Sequence, residues 1–119
     1  MNSELCLDTR NHENKRVIFT EAQRLLKCSK RPELRDNNFI NGRIKEAIAS
    51  PSFIYQDLTM IRKRQAVYLV EFKINNRFKY TKIILEKRSA HFFVITAYRP
   101  DYVKERGKTK LLYGRDKND

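Results

Sequence analysis

Two hydrophobic periods divide the chain. Before Pro51 apolar residues recur at helical intervals, and after it they alternate. Thr20-Glu21-Ala22-Gln23 reads as a capping box. In it the Thr20 hydroxyl accepts from the Gln23 amide, and the Gln23 side chain reaches back. The helix that follows is expected to run to about residue 29, with Ala22, Leu25 and Leu26 facing inward, and to end before Pro32. Asp36 or Asn37 then caps a second helix to about residue 49. Its inner face is Phe39, Ile40, Ile44, Ala47 and Ile48. Gly42 within it costs up to about 1 kcal/mol against Ala. It either admits a close neighbour or is a tolerated surface glycine.

Strand patterns cover 15–19, 53–57, 66–73, 77–86 and 91–99, and residues 111–113 suit a short edge strand. Asn75-Asn76 and the stretch 87–90 supply the turns between the three long strands, which makes them an antiparallel meander. The order predicts an α+β fold: two N-terminal helices packed on a four- to five-stranded antiparallel sheet. Residues 1–15 show no period and are expected to be a flexible tail before a single domain at 16–119. On the last long strand, Phe93, Ile95 and Ala97 are expected to face the helices, and Phe92, Val94, Thr96 and Tyr98 to face away. With suitable register, Tyr68, Lys82, Thr96 and Tyr98 then line one half-polar surface.

Length and composition narrow the classes. A chain of 119 residues with 40% hydrophobic positions makes one domain with a core, which excludes a disordered basic tail. No apolar run reaches the roughly 18 residues of a membrane span, and the first fifteen residues lack a signal-peptide core, so a cytoplasmic protein without membrane contact is expected. Cys6 and Cys28 are too few for a disulfide framework or a zinc site and are expected to be reduced thiols. The net charge of +12 is uneven. Residues 60–88 hold 9 basic and 2 acidic side chains, more than half of the excess. That clustering suits a surface that meets phosphates.

Cleavage of RNA by attack of a ribose 2′-hydroxyl on its own phosphate needs no metal. It needs proton carriers at the attacking and leaving oxygens and positive charge on the phosphate. Histidine is the easiest carrier, and the chain has only His12 and His91, the first in the expected tail. A dense basic site favours proton loss from a neighbouring Tyr or Lys, which makes Tyr98 and Lys82 candidates. Thr96 is a candidate donor to a phosphate oxygen. A competing reading takes Glu71-Phe72-Lys73 with Asp57 as a magnesium nuclease motif. Tyr and Phe residues interleaved with basic residues also suit a sheet on which bases stack. Phosphate-binding glycine loops, Gly-x-Ser-x-Gly, His-Glu-x-x-His and Cys-x-x-Cys do not occur.

Three strings carry a family resemblance. They are Phe19-Thr20-Glu21 with Lys30-Arg31-Pro32-Glu33-Leu34; the helix end Ile44-Lys45-Glu46-Ala47-Ile48-Ala49-Ser50-Pro51-Ser52-Phe53-Ile54; and Val94-Ile95-Thr96-Ala97-Tyr98. Together, over residues 19–98, they resemble phage- and toxin-associated members of the barnase–EndoU–colicin–RelE superfamily. The resemblance implies a barnase/RelE-like fold and a metal-independent endoribonuclease acting on tRNA or mRNA, without a cofactor and silenced by an antitoxin or immunity protein. It maps Thr96 and Tyr98 to the Thr-Ala-Tyr strand, and Arg64 and Lys82 to the cations that hold the scissile phosphate. Tyr98 or His91 then transfers protons. Arg31, Arg62, Lys63, Tyr68, Lys79 and Arg99 are the expected nucleic-acid contacts. Many relatives carry a His before the Pro-Glu step, where this chain has Arg31. That difference leaves a non-catalytic nucleic-acid-binding phage accessory protein as the alternative.

Overall fold

The computed structural model describes residues 4–57, 63–74, 77–103 and 109–114. In chain order the described elements are β1 (Leu5–Arg10), β2 (Arg16–Thr20), α1 (Glu21–Lys27), a 3-10 turn Pro32–Arg35 and a π-helical segment Phe39–Ile44 that continues as α2 (Lys45–Ala49). The strands β3 (Phe53–Asp57), β4 (Arg64–Ile74), β5 (Arg77–Arg88), β6 (His91–Tyr98) and β7 (Thr109–Gly114) follow. They form one seven-stranded sheet in the order β1-β2-β6-β5-β4-β3-β7. Every neighbouring pair is antiparallel except β2 and β6, which run parallel.

This corrects the expected fold of two N-terminal helices on a four- to five-stranded antiparallel sheet. The sheet is larger and mixed, the helices are short, and a hairpin precedes them. The stretch expected to be a tail contains β1, which pairs with β2. Only Leu7 of β1 is buried, and a register shift between Leu5 and Leu7 blurs the alternation. The turn is nevertheless well made. The Asn11 side chain accepts from the Glu13 and Lys15 amides, each at 2.9 Å, and Asn14 takes φ 62°, a left-handed conformation that Asn tolerates.

The second helical stretch packs as expected. Phe39, Ile40, Ile44, Ala47 and Ile48 are all buried and lie on Leu7, Phe19, Ile54, Val67, Leu69, Ile83, Leu85 and Val94 of the sheet. Nothing lies within 4 Å of where a Gly42 side chain would sit, so this glycine admits no close neighbour.

The first helix departs from expectation. Thr20 caps it, accepting from the Gln23 amide at 3.1 Å, but none of its residues is buried, and Leu25 and Leu26 are 61% and 69% exposed. Polar contacts fix its orientation instead. The Gln23 carboxamide does not close the capping box; it donates to the Ile95 carbonyl at 2.7 Å. Arg24 binds Glu21 and donates to the Leu34 carbonyl at 3.2 Å.

That contact to Ile95 falls on a bulge. Thr96 pairs with Ile84 and Val94 with Leu85, so Ile95 is the extra residue. The alternation shifts there. Phe92, Val94 and Ala97 face the helices and the core, while Phe93, Thr96 and Tyr98 face away, which corrects the expected placement of Phe92, Val94 and Phe93.

The sheet curls around its core. His12, in the turn after β1, packs against Tyr113 of β7 with ring centroids 4.9 Å apart, although the two strands lie at opposite ends of the sheet order. An inner, core-filled face and an outer face result. Among the described residues no helix is long and apolar enough to cross a membrane.

Candidate nucleic-acid interface

The outer face carries a rank of side chains across three strands. Register sets Tyr68 of β4 beside Lys82 of β5, and Lys82 beside Tyr98 of β6. The Lys82 ammonium lies 5.2 Å from the Tyr68 ring centroid and 5.7 Å from that of Tyr98, and the residue is only 9% exposed. A cation held over two ring faces gains from their quadrupoles. The Tyr68 ring is fully buried and meets Tyr55 and Tyr80 edge-on, at 5.9 and 6.0 Å. Such contacts fix ring orientation.

Arg31 completes the rank from outside the sheet. Its guanidinium lies 3.8 Å from the Tyr98 ring centroid. The motif around it explains how. Leu34 is fully buried in the core, Pro32 opens the 3-10 turn, and the Glu33 carboxylate accepts from the Arg99 amide just past β6. The string 30–34 is thus pinned to the end of the strand that bears Tyr98.

Thr96 shares the outer face with Tyr98, two residues before it. Its Oγ1 is buried and has no hydrogen-bond partner, as is the case for Arg99 Nε. A buried hydroxyl without a partner costs about 1–3 kcal/mol, so an anion or a water that accepted from it would relieve that penalty.

The other expected site residues lie elsewhere. Arg64 faces Glu86 in the β4–β5 register, four residues from Tyr68 along β4, or about 13 Å at strand rise. It therefore does not share one phosphate with Lys82. Its Nε donates to Glu86 at 3.0 Å, Arg88 donates to the same carboxylate at 2.6 Å, and Arg88 also covers Phe93. These two guanidinium groups, Arg88 first, hold the Glu86 carboxyl below its ordinary value. His91 sits seven residues from Tyr98, at the opposite end of β6, opposite Arg88, and its Nδ1 is buried without a partner. Lys79 alternates with Tyr80 and lies on the inner side of β5. Lys63 lines a cleft on that inner side, while Arg62 lies outside the described residues.

The acidic pair of the magnesium reading is also divided. Gln56 pairs with Gln65, so Asp57 falls beside the start of β4, whereas Glu71 lies about 20 Å further along that strand. Glu71 is the extra residue of a second bulge and binds Arg43 and the Thr81 hydroxyl. The two carboxylates are too far apart to share an ion.

The basic excess of 60–88 is therefore split. Arg64, Lys82 and Arg88 belong to the outer face, and Lys79 and Lys87 to the inner. Tyr55 and Tyr80 join the site only through their edge-on contacts with Tyr68, which no local sequence pattern marks. The Glu33 tether and the role of Glu86 are likewise unmarked. The free thiols have no site of their own: Cys6 donates to the Phe19 carbonyl, and its pKa is pushed up to about 11 by burial. No family model matches the chain, and no curated protein or solved structure matches it.

Proposed function

We propose that the protein is a metal-independent endoribonuclease that acts on tRNA or mRNA through the outer face of its sheet. The observation that carries this reading is the rank Tyr68–Lys82–Tyr98 with Arg31 over Tyr98. It combines cations, a proton-bearing phenol and ring faces within one short stretch of sheet. In this reading Lys82 and Arg31 stabilise the charge that develops on the phosphate as the 2′-oxygen attacks. The Tyr98 phenol carries a proton of the reaction, and the Thr96 hydroxyl donates to a non-bridging oxygen. Tyr55 and Tyr80 offer ring faces to flanking bases. Arg64 and Arg88, about 13 Å along the face, meet a different phosphate of the same strand. The sequence resemblance at 94–98 adds support, whereas Arg31, where many relatives carry His, does not.

The second reading, a protein that binds nucleic acid without cutting it, is favoured by one fact: His12 and His91 both lie away from the rank. One assay separates the two. Purified protein is incubated with total tRNA and mRNA in EDTA, and the product ends are analysed. Cleavage that leaves 2′,3′-cyclic phosphates supports the ribonuclease. Salt-sensitive binding with intact RNA supports the second reading, and cleavage only with added Mg²⁺ overturns the metal-independent mechanism.

A further inference from the structure

Beyond α2 the inner face does not end in a disordered margin. One pleat past the core, the side chains change character in concert. Ile54 is followed two residues on by Gln56, and Leu85 by Lys87; Val67 is preceded two residues back by Gln65, and Val17 by Lys15. These four, with Lys63 and the buried ring of Phe92, surround a cleft of about 250 Å³ at the mouth of the curled sheet. Backbone pairing defines its rim: the Lys87 amide donates to the Lys63 carbonyl at 2.8 Å.

The cleft's charge is unbalanced. Three lysines, Lys15, Lys63 and Lys87, line it, none in an ion pair among the described residues, and the one acidic residue of the lining is Glu13. Converging like charges oppose one another unless an anion joins them. The remaining lining is that of an organic ligand and not of a bare ion. The Gln56 and Gln65 carboxamides, 3.4 Å apart, offer donors and acceptors, and Phe92, the one apolar residue of the lining, is a core residue with little of its surface free.

We infer that this cleft binds a phosphate monoester attached to a flat, hydrogen-bonding group, of about mononucleotide size. Lys15, Lys63 and Lys87 take the phosphate, and the Gln56 and Gln65 carboxamides hydrogen-bond the flat group. The site lies on the opposite side of the sheet from Tyr98 and does not depend on the outer face being a nuclease.

Titration calorimetry with adenosine 5′-monophosphate at low salt tests it. The expected Kd is below about 1 mM, rising with salt. Adenosine and inorganic phosphate should each bind at least about tenfold more weakly, because each fills half of the cleft. Lys63→Ala and Lys87→Ala, both at exposed positions, should each weaken binding about fivefold or more with an unchanged melting temperature. Tyr98→Phe should leave the Kd unchanged. A 5′-phosphorylated trinucleotide distinguishes the source: equal binding assigns the cleft to a chain end, and much weaker binding assigns it to a free nucleotide. Absence of binding at 5-fold above that Kd, equal binding of adenosine, or indifference to both lysine substitutions would overturn the inference.

Discussion

Arg31 lies over Tyr98, 3.8 Å from the ring centroid, although 67 positions separate them. The ring therefore has the Arg31 cation over it, and the residue ends the rank that runs through Lys82. Ring and hydroxyl can be tested apart. Tyr98→Phe keeps the stack and removes the proton. RNA binding is expected to stay within about twofold, and cleavage to fall about 100-fold or more. Arg31→Ala should weaken both binding and cleavage. Gel-shift and cleavage assays on the same preparations check the split, and equal rates for Tyr98→Phe and wild type would remove the phenol from the chemistry.

Glu86 makes stability depend on pH. Its folded-state pKa is depressed, first by Arg88 and then by Arg64, below an ordinary value of 4.5. A depressed carboxyl stabilises the folded state above its unfolded pKa, and that contribution is lost as pH falls through the folded value. Glu86→Gln should lower stability at pH 7 by about 1 kcal/mol, a modest figure because Arg88 is largely exposed. The difference between variant and wild type should shrink below about pH 4. Thermal unfolding at pH 7 and pH 3.5 measures it; a constant difference would mean that the ion pairs do not contribute.

Gly42 stands in a helical segment with open space around it. Gly42→Ala should stabilise the protein by about 0.5–1 kcal/mol, since it removes backbone freedom from the unfolded chain without a clash. A raised melting temperature with unchanged RNA binding is the expected outcome. A lowered one would show that the π-helical turn needs glycine.

Leu26 is 69% exposed. Leu26→Gln should therefore change stability by less than about 0.5 kcal/mol. Denaturant unfolding checks this. A loss above 2 kcal/mol would place Leu26 in the core after all.

The contrast between the two helices shows what the sequence makes legible. Phe39, Ile40, Ile44, Ala47 and Ile48 recur over ten residues, and such a stripe has one way to be buried. Leu25 and Leu26 are adjacent on a helix of seven residues, too short for a period to be meaningful. There Gln23 and Arg24 set the orientation through the carbonyl groups of Ile95 and Leu34, neither of which a local pattern announces. The rank Tyr68–Lys82–Tyr98 was readable as a shared face because β5 keeps strict alternation through Lys82. Phe92 and Val94 were misplaced because one extra residue, Ile95, shifts every side chain beyond it, and no local signal marks that bulge. The inner cleft has no sequence signature because Lys15, Lys63 and Lys87 come from three distant segments. Strand pairing brings them together: β2 lies beside Phe92 of β6, Phe92 pairs with Lys87, and the Lys87 amide bonds the Lys63 carbonyl.

The parallel pairing of β2 with β6 has a kinetic consequence. Val17 meets Phe92, so the sheet's N-terminal hairpin finds its neighbour only across 75 positions of chain. Contacts of such high sequence separation must close a long loop before they contribute, and folding slows accordingly. During synthesis the hairpin emerges first and waits with one edge open until β6 has left the ribosome. Until then Tyr98 does not exist in the nascent chain, and Val17 and Phe19 have a strand on one side only, β1. The order of translation therefore delays assembly of the outer-face rank until the segment that carries Tyr98 has been made.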